Sequence, residues 1–185
     1  MIINGFGGGV TDTLGLTILQ PNTVLYNNGT LANGLTLGPS VKKITETVDL
    51  PDRSTWGANS VQSAVRGVAA LFAQPIYLVP LRGKTISATV ANRGGATNPW
   101  YGMSLCIAPY ISPTQWSATT GMTTGNDSMS PQPVLGASAS FCPTAASWTT
   151  TLSVTITVSM VYGYICLGSG YGYTASYYNN IRISA

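Results

Sequence analysis

From Gln74 to Val90 the chain reads QPIYLVPLRGKTISATV, and its second half alternates without interruption. In an extended segment Ile86, Ala88 and Val90 fall on one face, and Thr85, Ser87 and Thr89 on the other. A period of two describes a strand buried on one side and wet on the other, as antiparallel sheets use it. The apolar run Gln74 to Val79 reads as a partner strand, joined through a tight basic turn at Leu81-Arg82-Gly83-Lys84. A second run, opened by Trp148, repeats the pattern: Leu152, Val154, Ile156 and Val158 alternate with Ser153, Thr155 and Thr157. Many short strands between turn signals, with no clear helix, indicate a two-sheet antiparallel sandwich. The expected class is all-β.

The rest of the chain fits that frame. Trp100 to Ile107 alternates, with Tyr101, Met103, Leu105 and Ile107 on one face. Val161 to Leu167 and Tyr178 to Ile183 read as closing strands, and Ile44 to Val48 as an early one. Pro109 to Pro143 reads as long loops with at most a short strand. Ser60 to Phe72 is ambiguous: Val61, Ala64, Val65, Val68, Leu71 and Phe72 have helical spacing, while Gly67 and the β-branched residues oppose a helix. Residues 1–38 stand apart. Gly5-Phe6-Gly7-Gly8-Gly9 costs too much backbone entropy to be a core element. The short apolar pieces after it are broken by Pro21 and by the turn signal Asn27-Asn28-Gly29, giving either a first hairpin or an extended arm. The organisation expected is an arm over residues 1–38, anchored through Phe6, Gly7, Gly8 and Gly9, and a sandwich over residues 39–185.

Composition excludes more than it assigns. Charged residues make up 7 % of the 185, against roughly 25 % in an ordinary soluble protein. Such a surface lacks the repulsion that keeps free monomers apart, which favours life among packed neighbours as a homo-oligomer; a secreted domain with a neutral, hydroxyl-rich sheet fits nearly as well. The eight Lys and Arg are scattered, giving +3 overall and none of the dense basic stripe that nucleic acid requires. No stretch approaches the length of a membrane helix. Three cysteines, Cys106, Cys142 and Cys166, have neither disulfide-framework nor zinc spacing and read as buried thiols. Histidine is absent, so a Ser-His-Asp or Cys-His site within one chain is excluded. Asp49 and Asp52 are too close in sequence to flank a sugar bond, and an enzyme is not expected. No cofactor is implied. The loop aromatics Trp100, Tyr101, Trp116, Tyr171 and Tyr173 offer a glycan-binding surface, and they serve equally well to seal the sandwich or fill an interface.

Three segments occur in a recognisable order: LRGKTISATV (Leu81 to Val90), ASWTTTLSVTITV (Ala146 to Val158) and YICLGSGYGYTASYYNNIRISA (Tyr164 to Ala185). Together they resemble the jelly-roll domains, related to carbohydrate-binding modules, of bacteriophage tail, fibre and decoration proteins. Such domains show leucine, any residue, glycine, lysine and threonine entering an alternating strand, then a Trp-led strand. They close on an acidic residue before Asn-Ile-Arg-Ile. Here Asn180-Ile181-Arg182-Ile183 is kept, while Asn179 stands where the family often has Asp. The resemblance covers about Ser60 to Ala185 and makes Ser60 to Val68 an early strand. It implies a jelly-roll-like body in a capsid decoration or head-fibre protein, made in the host cytoplasm and carried in the virion. Its partners would be major capsid or tail subunits, with surface glycans as the alternative and neither nucleic acid nor membrane. Carbohydrate-binding relatives often hold a structural calcium. Asp49 and Asp52 could supply two ligands, but with so few acids nearby a solvated turn is the preferred reading.

Overall fold

The computed structural model describes residues 10–11, 17–50, 52–56, 58–64, 67–93, 103–109, 137–141, 148–157, 159, 161–169 and 175–185. Strands dominate them. The first are β1 (Val10–Thr11), β2 (Thr17–Ile18), β3 (Val24–Asn27) and β4 (Thr30–Leu31). Next come β5 (Val41–Lys43), β6 (Val48–Asp49), β7 (Thr55–Trp56), β8 (Val61–Ser63), β9 (Gly67–Ala70) and β10 (Ile76–Tyr77). The longer strands follow: β11 (Thr85–Asn92), β12 (Met103–Pro109), β13 (Ala137–Phe141), β14 (Thr149–Thr155), β15 (Tyr162–Ser169) and β16 (Ser176–Ile183). A single 3-10 turn, Val79–Leu81, lies between β10 and β11.

Two large sheets form. In the first, the order is β1-β2-β10-β15-β12-β13, with β9 also on β15. In the second it is β14-β11-β16-β3-β4, with β8 on β16 and β5 on β8. All pairings are antiparallel except β2 with β10. Met103, Leu105, Ile107, Ile165 and Leu167 of the first sheet meet Ile86, Ala88, Val90, Leu152, Val154 and Ile183 of the second in one buried cluster. A shared core between two sheets makes the sandwich. Burying each such side chain contributes about 1.5–3 kcal/mol, so this layer is the main stabilising term. The alternation read from Thr85 and from Trp148 is what aims these residues inward. Cys106 and Cys166 stand directly opposite each other across β12 and β15, both buried and neither in a disulfide. Cys142 lies outside the described residues.

Gln74 to Val90 is not a hairpin. β10 belongs to the first sheet and β11 to the second, and the 3-10 turn carries the chain across the sandwich between them. Leu78 and Leu81 flank that crossing with no exposed surface. An apolar run followed by an alternating one fixes the two strands but not whether they pair. Ser60 to Phe72 divides in a similar way, β8 going to the second sheet and β9 to the first. Ile44 to Thr47 is not strand, and only β6 begins at its end.

Residue 38 is not a packing boundary. β2 pairs with β10, and β3 pairs with β16. Leu25 and Tyr26 are fully buried, and Leu19 and Leu35 join the same core. These pieces pair only briefly with one another, β1 with β2 and β3 with β4, and complete their hydrogen bonding on distant strands. The expected arm therefore contracts, because residues 17–38 belong to the sandwich. Phe6, Gly7, Gly8 and Gly9 lie outside the described residues.

Candidate functional site

The second sheet presents a polar face away from the core. Since Tyr26, Ala88, Val90, Tyr178, Ile181 and Ile183 point inward, their neighbours Asn27, Thr89, Asn179 and Arg182 point outward. A small hairpin, β6 with β7, lies over part of this face. Val48 and Leu50 pack there on Ala91, Trp148 and Tyr177, with Ile44 and Trp56 at the edge. Where the hairpin stops, an open groove of about 420 Å³ begins, bounded by Trp56, Asn27, Asn28, Thr89, Asn179, Asn180 and Arg182.

Two local devices build its walls. β3 and β4 are joined by the two residues Asn28 and Gly29, with φ of 45° and 90°. Positive φ at both positions is the type I′ turn that the Asn-Gly pair favours. On β16, Asn180 has φ 48°, and the two residues between Asn179 and Arg182 oppose the one, Ala88, between Thr89 and Ser87. The extra residue is a β-bulge, which re-aims side chains. It gathers Asn179, Asn180 and Arg182 beside the turn.

Hydrogen bonds lock these parts together. Asn28 donates its backbone N–H to Asn179 Oδ1 at 2.9 Å, and Asn180 N–H donates to the same oxygen at 2.8 Å. Asn179 Nδ2 returns a bond to Asn28 Oδ1 at 2.8 Å. Arg182 donates from Nε to Asn180 Oδ1 at 3.1 Å and from Nη2 to the same oxygen. Trp56 donates Nε1–H to Ser60 Oγ, so the half-buried indole is fixed at its polar end. Asn179→Ala is expected to lower stability by about 1–3 kcal/mol, because two backbone N–H groups lose their acceptor. Thermal unfolding reads the loss, and amide exchange should quicken at Asn28 and Asn180.

The described lining offers amide and hydroxyl hydrogen-bonding groups, one guanidinium and one aromatic face. No carboxylate among the described residues bounds the groove. Among the described residues no three His, Cys, Asp or Glu side chains gather in one place. Asp52 is used within the hairpin. Its Oδ1 accepts from Ser54 N–H at 2.9 Å and from the Ser54 hydroxyl at 2.5 Å, which holds its carboxyl below the usual carboxylate range. No protein-family model matches this chain, and no curated protein does.

The sequence-derived glycan candidates Trp100, Tyr101, Trp116, Tyr171 and Tyr173 lie outside the described residues. Of the aromatics that follow them, Tyr177 is packed beneath the β6–β7 hairpin and Tyr178 is fully buried in the core. Sequence reasoning missed Trp56 as a wall and took the Asn28-Gly29 and Asn179-Asn180 pairs as turn and family markers. Their clustering had one available signal, an Asn-Gly turn and an Asn-Asn pair in a chain with few charges. Only the pairing of β3 with β16 brings them together.

Proposed function

We propose that this chain is a non-enzymatic structural protein of a tailed-phage virion, a capsid decoration or head-fibre protein packed against neighbouring virion subunits. The observation that carries the reading is the adjacency of the three resembling segments. They contribute β11, β14 and, at the end of the third segment, β16, hydrogen-bonded neighbours in the order β14-β11-β16 despite their wide separation in sequence. Tyr164 to Ser169 of that third segment lies in β15 of the first sheet. Motifs that converge on one sheet behave as parts of one inherited body, in keeping with a jelly-roll-like domain. A surface with 7 % charged residues supports packing among copies and neighbours. In this reading the anchor is confined to residues 1–9, with Phe6 and Gly7 to Gly9 held by a neighbouring subunit.

Particles purified with a chain lacking residues 1–9 test it. The expected result is lost incorporation, with the unfolding transition of the shortened chain measured alongside. Full occupancy by the shortened chain would sink the anchor, and absence of the whole protein from particles would sink the virion reading. A second reading is favoured by one observation. The groove beside Trp56 joins an aromatic wall to several amides, the lining expected of a carbohydrate-binding, receptor-recognising module.

A further inference from the structure

We infer that the groove between the Asn28-Gly29 turn, Trp56 and the β16 bulge binds a saccharide that carries a carboxylate, with Arg182 as the residue that selects the charge. The inference rests on the carbohydrate-binding reading and specifies its site and ligand class.

The aromatic wall is held in place before any ligand arrives. Trp56 is tied to Ser60 at its indole nitrogen and backed by the apolar patch beneath the hairpin. Its remaining surface meets the groove. A rigid ring loses little entropy on binding and suits the apolar face of a sugar ring.

The amides beside it are only partly used. Asn179 Oδ1 accepts two N–H groups and its Nδ2 donates one bond, leaving one N–H free. Asn28 Oδ1 accepts one bond, leaving a lone pair, and its two amide N–H groups make no bond to a described residue. Such leftovers, fixed in orientation, match a pair of sugar hydroxyls. Thr89 is held more loosely, accepting from Asn180 Nδ2 at 3.5 Å.

Charge separates this groove from one for neutral sugars. Arg182 spends two of its five N–H donors on Asn180, which leaves three. Among the described residues its partner is a neutral oxygen, and no carboxylate bounds the groove. Lys43 adds a second cation at the turn, where Nζ reaches Gly29 O at 3.4 Å. A guanidinium oriented by an amide presents a planar fork, the geometry that a carboxylate meets with two parallel bonds. The groove is open, so this attraction is screened by salt and the affinity is modest.

Titration of the full chain, followed by NMR, with two matched pairs tests the inference. One pair is an oligogalacturonide and its methyl ester; the other is sialyllactose and lactose. At least one acid form should bind about tenfold more tightly than its uncharged counterpart, by the strength of a charge-assisted bond. Arg182→Gln, a change at an exposed strand position, should bring the acid form down to the affinity of the uncharged form. Trp56→Leu should weaken both. Equal binding of the acid and uncharged forms, or an acid preference that survives Arg182→Gln, overturns the charge selection while leaving the carbohydrate-binding reading in place. No binding by any of the four overturns both.

Discussion

Tyr178→Ala is expected to destabilise the protein by about 4 kcal/mol, the cost of truncating a large buried ring and leaving a cavity. The ring has no exposed surface and sits in the shared core. Its hydroxyl also crosses the sandwich, from β16 of the second sheet to the carbonyl oxygen of Gly168 on β15 and that of Ser104 on β12 at 3.2 Å. Ser169 Oγ lies 3.4 Å away. Tyr178→Phe keeps the ring and removes only this tie, so it should cost about 1–2 kcal/mol. The two variants divide the loss between packing and hydrogen bonding, and urea unfolding midpoints measure both.

The same hydroxyl sets an alkaline limit. Burial pushes the Tyr178 phenol well above its ordinary value, with the Ser169 hydrogen bond opposing in part. Its folded pKa is therefore raised above the unfolded one, near 10. The stabilisation is complete below about pH 10 and is lost as pH climbs towards the folded value. Tyr26 and Tyr177 are raised too, again first by burial. Tyr178→Phe should thus flatten the fall in stability above about pH 10 without abolishing it. A fall as steep as the parent's would refute the assignment.

Gly38→Ala is expected to cost about 3 kcal/mol through overpacking. A Cβ there would lie 2.0 Å from Ala70 O and 3.1 Å from Ala70 C, both backbone atoms. Ala70 cannot retreat cheaply. It is paired with Cys166 across β9 and β15, and the next residue donates Leu71 N–H to Ile165 O at 2.8 Å. Gly38 N–H itself donates to Leu71 O at 2.9 Å, so the chain cannot lift away without losing that bond. Gly83 provides the contrast: its φ is 77° but nothing lies within 4 Å of an added Cβ. Gly83→Ala should cost about 1 kcal/mol, from backbone strain alone. Equal losses at the two positions would contradict the steric account of Gly38.

Much of the sandwich was legible because alternation reports burial directly. Ile86, Ala88 and Val90, then Leu152, Val154 and Ile156, and Met103, Leu105 and Ile107 all face the core as their period requires. Partnership was not legible. β10 and β11 are close in sequence yet belong to different sheets, because Leu78 and Leu81 can turn the chain within the core as readily as a hairpin can turn it outside. Residues 17–38 looked like an arm since Pro21 and Asn28-Gly29 cut them into pieces. Backbone pairing with β10 and β16 makes those pieces cohere, and a local pattern carries no trace of it. The groove was hidden for the same reason. Trp56, Asn28, Asn179 and Arg182 meet through strand register and one bulge, while each alone reads as a turn or strand residue.

The position of β16 governs the order in which the protein can be made. It follows every other described strand along the chain, yet it lies inside the second sheet, with β11 on one side and β3 and β8 on the other. During translation β11 and β14 can pair early, but β3 and β8 wait for a partner not yet synthesised. Their apolar faces stay open until Ser176–Ile183 clears the ribosome. The nascent chain is therefore most exposed to misassembly just before this strand emerges, and the sandwich closes late, in one long-range step.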